Sequence, residues 1–302
     1  MISASRIKYI QSLRQKKYRD RHGVFVAEGD KIVQELAASS MRIDMVCGLE
    51  GWLEQNIHKL PEEVTCITIT EKELSRLSNL KTPNQVIAVV KKPDPEVSTA
   101  DMEEDLVLVL DTLQDPGNLG TIIRTADWFG IRTIYCSPDT ADVYNPKVVQ
   151  STMGSFIRIR IVYTDLMRVL GRTRRNIYGA FLEGESLYDA RPGFPAALVI
   201  GNESGGISAE VGAFVNRKVL IPRHQAEDGS GADAGTCIDF GNGTGINSGK
   251  SSGKDFVKGT CTGSGNDRSP EQDSGAGKGS ENGPESLNAA VAAGIMMSWF
   301  RK

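Results

Sequence analysis

The sequence has no uninterrupted apolar run approaching the roughly 18 residues a helix needs to cross a bilayer, which argues against a membrane-spanning protein. Its opening, MISASRIKYIQSLRQKKYRDRH, is basic and helix-forming and lacks the apolar centre of a secretory signal, so a cytoplasmic location is expected. Cysteine is scarce. The five residues (Cys47, Cys66, Cys136, Cys237, Cys261) are odd in number, scattered and never in CxxC spacing, which suits a reducing compartment and disfavours a disulfide framework or zinc site. The three histidines, His22, His58 and His224, have no partners at metal or triad spacing, so no metal is expected. Large net charge is also missing. The value of −3 over 302 residues looks wrong for a nucleic-acid partner, yet it is unevenly distributed.

Residues 1–22 carry Arg6, Lys8, Arg14, Lys16, Lys17, Arg19 and Arg21 against Asp20 alone, a local charge of +6. A basic leading helix can follow phosphates, although a solvated helix face has the same composition. With 39% hydrophobic and 24% charged residues, most of the chain should fold, and its length allows two domains. Three textures divide it. Residues 1–97 mix short helical and strand patterns and end in a Pro- and acid-rich linker. Residues 98–302 are α/β. Within them, His224 to Pro284 holds 15 glycines and 8 serines in 61 residues and carries a charge of −4. That composition reads as a disordered or loosely ordered insertion.

In the second region LVLVLD (106–111) has the continuous apolar character of a buried parallel strand. A helix is expected at 119–130, a strand at 133–137, a helix near 146–153 and a strand at FIRIRIV (156–162). Asp165 can cap a helix reaching about Arg175. Strands at 177–182 and 196–202, a helix at 208–216, a strand at 218–222 and a final helix over 286–302 complete the pattern. Such alternation implies a mostly parallel sheet covered on both faces.

Three segments at strand ends are unusual, and strand ends are where parallel α/β sheets bind ligands. In DTLQDPGNLGTIIRTADWFG (111–130), Asn118, Gly120 and Arg124 place an amide, a glycine and a guanidinium around a helix start. That set suits an anion, or is an ordinary strand–helix turn with a surface arginine. In LVIGNESGGIS (198–208), Gly201, Gly205 and Gly206 permit close backbone approach while Asn202 and Glu203 offer polar groups; glycine-rich turns also occur with no ligand. The third pairs Ile221 and Pro222 with Ser286 and Asn288 across the insertion; alone, the last two read as helix caps.

Together these segments resemble, in order, the three motifs of the SpoU (TrmH) branch of the SPOUT superfamily of RNA methyltransferases. They are N-x-G-x-x-x-R (Asn118, Gly120, Arg124), G-N-E-x-x-G (Gly201, Asn202, Glu203, Gly206) and I-P…S-L-N (Ile221, Pro222, Ser286, Leu287, Asn288). FVAEGDKIVQEL (25–36) and LSNLKTPNQVIAVVKKP (77–93) are similar to the family's ribosomal-protein-like substrate-binding domain. The resemblance implies a parallel α/β domain with a C-terminal trefoil knot, preceded by a small α/β RNA-binding domain. It implies a homodimer acting on RNA with S-adenosylmethionine as methyl donor; the KKYRDRHGVFVAEG opening resembles members that act on large-subunit ribosomal RNA more than those that act on transfer RNA, which stays the alternative substrate. The donor would be held by Leu182, Glu183, Gly201, Asn202, Gly206, Ile221, Pro222 and the Ser286–Leu287–Asn288 turn.

Catalysis is assigned to Arg124, Asn118, Glu203, Ser286 and Asn288, and RNA binding to Arg14, Lys16, Lys17, Arg19, Arg21 and Arg124. A guanidinium is a poor literal base, so Arg124 is expected to clamp an RNA phosphate and stabilise the developing alkoxide. Two decoys fail. GNGTGINSGKS (241–251) has Thr244 where a phosphate-binding loop needs its first glycine, and DPGNLG lacks the G-x-G-x-x-G of a nicotinamide site. The 63 residues between Pro222 and Ser286 exceed the family's usual few, leaving a non-catalytic RNA-binding protein with the same fold as the rival reading.

Overall fold

A computed structural model describes residues 2–93, 104–222 and 287–302; the 224–284 insertion, Ser286, His224, Cys237 and Cys261 lie outside the described residues. The first sheet is built from β1 (Val24–Glu28), β2 (Ile43–Gly48), β3 (Thr65–Thr68) and β4 (Val86–Lys91) in the order β1-β4-β2-β3. β4 is antiparallel to β1 and β2, and β2 is parallel to β3. Around it lie α1 (Ala4–Ser12), α2 (Lys16–His22), α3 (Asp30–Ala37), α4 (Glu50–Asn56) and α5 (Glu71–Leu77). Side chains alternate across each strand. Val24, Val26 and Val89 therefore meet Ile10 of α1 and Leu74 of α5, while Phe25, Ala27 and Val90 join the core of the second sheet.

Among the described residues that second sheet has six strands, all parallel: β5 (Leu106–Leu110), β6 (Thr133–Cys136), β7 (Arg160–Tyr163), β8 (Asn176–Ser186), β9 (Ala196–Ile200) and β10 (Arg217–Leu220). Their order is β10-β8-β9-β5-β6-β7. α6 (Pro116–Trp128), α7 (Pro146–Thr152) and α10 (Ala289–Phe300) cover one face; α8 (Leu166–Leu170) and α9 (Ala209–Gly212) cover the other. β5 shows why its apolar run is unbroken. Leu106, Leu108 and Leu110 face the first set of helices, and Val107 and Val109 the second. The chain leaves β5 toward β6 and β7, then returns on the other side as β8 and β9. Adjacent β5 and β9 thus form the point where strand order reverses, and the C-terminal ends of strands at such a point are where parallel α/β sheets bind ligands.

Several elements differ from the sequence pattern. FIRIRIV does not form one strand. Met153 (φ 51°) and Gly154 (φ 95°) turn the backbone into a 3-10 helix at Ser155–Ile157; Phe156 within it and Ile159 just after it are buried, and β7 begins only at Arg160. Asp165 caps α8 by accepting from Met167 N, but the helix stops at Leu170, before Gly171. The helix expected at 208–216 is a single turn. Among the described residues no helix is long and apolar enough to span a membrane.

Candidate active site

The first motif sits where β5 passes into α6. Asp115 is the helix N-cap, its Oδ1 accepting from Asn118 N at 2.8 Å, and Pro116 occupies the first turn where its missing N–H costs nothing. The Asp115 carboxyl is held below its ordinary value, first by that Asn118 N–H and then by Lys147, whose Nζ lies 3.3 Å from Oδ2. Capping aims the Asn118 side chain out of the helix start. Gly120 has a different role from the one expected. A Cβ there would overlap Ser151 Cβ, so this glycine lets α6 pack tightly on α7.

The second motif follows β9, the neighbour of β5. Asn202 and Gly206 bond each other through both backbone pairs (2.8 and 3.0 Å), closing a small loop. Gly201 needs to be glycine because a Cβ would run into the Gly206–Ile207 backbone, and Gly206 has φ 66°. Asn202 holds this loop together: Oδ1 accepts from Ser204 N and Gly205 N, and Nδ2 donates to Thr112 O at 2.8 Å. Its acceptor is filled, which removes it as a side-chain acceptor for a donor molecule. Two further residues were not anticipated. The buried Asp111, at the end of β5, accepts from Ser208 N at 2.8 Å and from Thr112 Oγ1, tying the two loops together, and Thr112 adopts φ 56°. The signal was an acidic residue ending an otherwise apolar buried strand.

The polar groups of all three motifs form one hydrogen-bonded chain. Asn118 Nδ2 donates to Glu203 Oε1 at 3.0 Å, and Asn118 Oδ1 accepts from Asn288 Nδ2 at 2.9 Å. Glu203 also accepts weakly from Asp115 N at 3.4 Å. Asn288 is simultaneously the N-cap of α10, accepting from Ala290 N and Val291 N. Its oxygen serves the cap and its nitrogen the contact with Asn118. Asn118 and Glu203 are half-buried and Asn288 exposed. Arg124 is exposed on α6, and among the described residues it has no hydrogen-bond or ion-pair partner; its helical spacing from Asn118 puts it on a different face of α6 from that chain.

Leu182 and Glu183 belong to an excursion of β8. Pairing with β10 jumps from Gly179–Lys218 to Glu185–Val219, and the intervening residues bulge out, leaving Leu182 78% exposed. Ile221 packs against the core, Pro222 is half-buried and Leu287 is exposed. The ends of β10, β8 and β9 are neighbours, so Leu182, Glu183, the Gly201–Gly206 loop and Ile221 belong to consecutive strand ends of one sheet edge.

The basic residues at the front separate into two groups. Lys16, Lys17 and Arg21 are exposed on α2. Arg14 donates to Leu77 O and Ser78 O, closing the C-terminal end of α5. Arg19 is 2% exposed and paired with Asp142, so it is removed from the expected phosphate ligands.

Comparison with known proteins places these features in a family. The SpoU rRNA methylase family matches residues 105–228, and an MRM3-like substrate-binding domain matches residues 4–88. The 23S rRNA (guanosine(2553)-2′-O)-methyltransferase RlmP of Bacillus subtilis is 29% identical over 231 residues, which is 74% of this chain and 89% of that protein. The 23S rRNA (uridine(2479)-2′-O)-methyltransferase of Streptomyces viridochromogenes is 32% identical over 169 residues, 52% of this chain and 58% of that one. A Porphyromonas gingivalis structure assigned to the TrmH family of RNA methyltransferases superimposes with a TM-score of 0.70 at 32% identity, covering 99% of this chain and 98% of that one. With motif order, sheet topology and relatives in agreement, the chain belongs to the SpoU/TrmH family of RNA methyltransferases.

Proposed function

We propose that this chain transfers a methyl group from S-adenosylmethionine to a ribose 2′-hydroxyl of large-subunit ribosomal RNA. The observation that carries the reading is the Glu203–Asn118–Asn288 chain, which joins three sequence-distant motifs beyond the C-terminal ends of β5 and β9. Relatives that are named for ribosomal RNA, one for a guanosine and one for a uridine, support ribose rather than a particular base as the reacting group. Residues 4–88 would then hold the RNA, with Lys16, Lys17 and Arg21 as phosphate ligands, and residues 105–302 would carry the chemistry.

S-adenosylmethionine supplies a methyl group already activated on a sulfonium. The residues present fit it: an exposed apolar Leu182, side-chain-free backbone at Gly205 and Gly206, and Ile221 with Pro222 line one sheet edge, suited to an adenosine held by apolar contact and main-chain groups. Ser286, Leu287 and Asn288 would close that side. The chain's remaining task is to hold the ribose and to stabilise its 2′-oxygen as the proton leaves. Arg124, permanently charged and without a partner among the described residues, would bind the adjoining phosphate and offset the alkoxide charge. Glu203 and Asn288 fix the amide of Asn118 from both ends, so that its orientation is set before RNA arrives.

The exposed Trp128 of α6 (85%), together with Leu287 and Val291 at the start of α10, supports a homodimer formed over these helices. We further propose that the C-terminal segment is threaded as a trefoil knot and that the protein works in the cytoplasm. The test is transfer of labelled methyl from S-adenosylmethionine to a large-subunit rRNA transcript and, in parallel, to transfer RNA. Ribosomal RNA should gain a 2′-O-methyl group, and Arg124→Ala should lower the rate by about 100-fold or more. Methylation of transfer RNA alone would replace the substrate assignment. Failure to bind S-adenosylmethionine at near-millimolar concentration would overturn the enzyme reading.

A further inference from the structure

Arg19 of α2 is 2% exposed and heads the largest fully buried side chains among the described residues, and it does not belong to the catalytic machinery. Its Nε and Nη2 donate to Asp142 Oδ2 at 3.2 and 2.6 Å, and Nη1 donates to Leu13 O and Arg14 O. Asp142 is 12% exposed and lies between β6 and α7, where its Oδ1 accepts from Tyr144 N and its carbonyl from Asn145 N. Asn145 caps α7, and α7 is the helix packed without clearance on Gly120 of α6. A continuous set of short contacts thus runs from α2 to the helix that bears Asn118 and Arg124.

Three other contacts fix the same joint. Phe25 of β1 stacks on Tyr144 (4.7 Å) and meets Phe156 edge-on (5.7 Å). Lys92 pairs with Asp20 of α2 at 2.6 Å and lies over the Tyr144 ring. Glu35 of α3 pairs with Arg158, which pairs in turn with Asp127 near the end of α6, and Gly154 lacks the Cβ that would collide with Glu35. On α2, Lys17 and Arg21 are one turn apart, on the side of the helix opposite Arg19 by its 3.6-residue period. One side of this helix is fastened inward; the other presents exposed cations.

We propose that the Arg19–Asp142 pair fixes the register between RNA phosphates bound on α2 and the ribose presented at α6, making Arg19 a positioning residue that determines which nucleotide is methylated. The inference rests on the reading of the chain as an RNA ribose methyltransferase. Successive nucleotides of a strand are only a few ångströms apart along the axis (about 3.4 Å in double-stranded DNA), so a hinge movement of that order at the joint offers the neighbouring ribose. Such selection does not depend on base identity. It depends on a fixed distance, which a buried, four-bond guanidinium provides and a surface ion pair does not.

The experiment compares the full-length protein with Arg19→Met and Arg158→Ala, using a large-subunit rRNA transcript. Methyl positions are mapped at single-nucleotide resolution, kcat and KM are measured, S-adenosylmethionine affinity is read by calorimetry, and hydrogen exchange is followed in residues 16–22 and 137–145. Arg19→Met should keep donor affinity within about twofold, raise the RNA KM by about tenfold, and spread methylation onto adjacent nucleotides. Global destabilisation would instead lower donor affinity and leave the methyl position unchanged. A folded Arg19→Met protein that methylates the same nucleotide with unchanged kcat/KM overturns the proposal. If Arg19→Met does not fold, Arg158→Ala carries the same comparison with a smaller expected spread, and an unchanged product map overturns it. If the parent protein methylates no RNA, the functional reading fails separately, and hydrogen exchange then decides: faster exchange in both segments supports the joint, and equal exchange overturns it.

Discussion

Replacing Asn118 by Asp changes one atom of the hydrogen-bonded chain and reverses its logic. Asn118 Nδ2 now donates to Glu203 Oε1 at 3.0 Å; in Asn118→Asp an oxygen would stand there, facing a carboxylate. Two unit charges at that distance repel by about 1.4 kcal/mol in water and about 5.5 kcal/mol at an effective dielectric of 20. Both residues are half-buried, so the lower end applies, and the lost hydrogen bond adds about 1 kcal/mol. A net cost of about 2.5 kcal/mol corresponds to about 70-fold in the population of the aligned site, and hence in kcat. The bond to Asn288 survives, because an aspartate oxygen accepts as well as an amide oxygen. The effect also has a pH signature. Neighbouring carboxylates share a proton, and a protonated carboxyl restores a donor toward its partner. Single-turnover methyl transfer measured from about pH 8 down to about pH 5.5 should therefore show the defect shrinking relative to the parent protein. An Asn118→Asp protein with parental kcat at neutral pH, or a defect of constant size across that range, would refute the reasoning.

Other perturbations have defined outcomes. Gly120→Ala puts a methyl group against Ser151 between α6 and α7 and should cost about 1–3 kcal/mol, read as a lowered melting temperature. Asn288→Ala removes the α10 cap, about 1 kcal/mol, and also frees Asn118, so kcat should fall further than the stability loss explains. Asp115, with its carboxyl held below 3.8, stabilises the folded state above its unfolded value and loses that contribution as pH falls through the lower folded value. Asp115→Asn should keep the cap and flatten that acid limb in urea melts. Burial pushes the Cys47 thiol up to about 12, and the wholly enclosed Cys136 thiol higher still. Neither should react with alkylating reagents near neutral pH in the folded protein, and mass spectrometry after labelling checks it.

Local chemistry made much of this fold legible. The LVLVL run has no polar face, so it had to be a strand buried on both sides, and the three motif segments each follow such a strand. The motif residues were found by type and order, and the structure brings Asn118, Glu203 and Asn288 together. What stayed hidden depended on distant partners. Arg19 looks like its basic neighbours until Asp142, 123 residues later, is placed beside it. Gly120 suggested ligand approach, but its neighbour is Ser151 on another helix. Ile157, Ile159 and Ile161 alternate as in a strand on paper, and only the left-handed backbone at Met153 and Gly154, with the 3-10 turn at Ser155–Ile157, buries Phe156 together with Ile159. The β8 excursion that exposes Leu182 was likewise invisible, because it arises from a register jump against β10.

The most direct measurement is a ribose-methylation map of total RNA from cells with and without this protein. One 2′-O-methyl site in large-subunit ribosomal RNA should disappear when the protein is absent and return with the parent sequence but not with Arg124→Ala. An unchanged map, or a site lost only from transfer RNA, would contradict it.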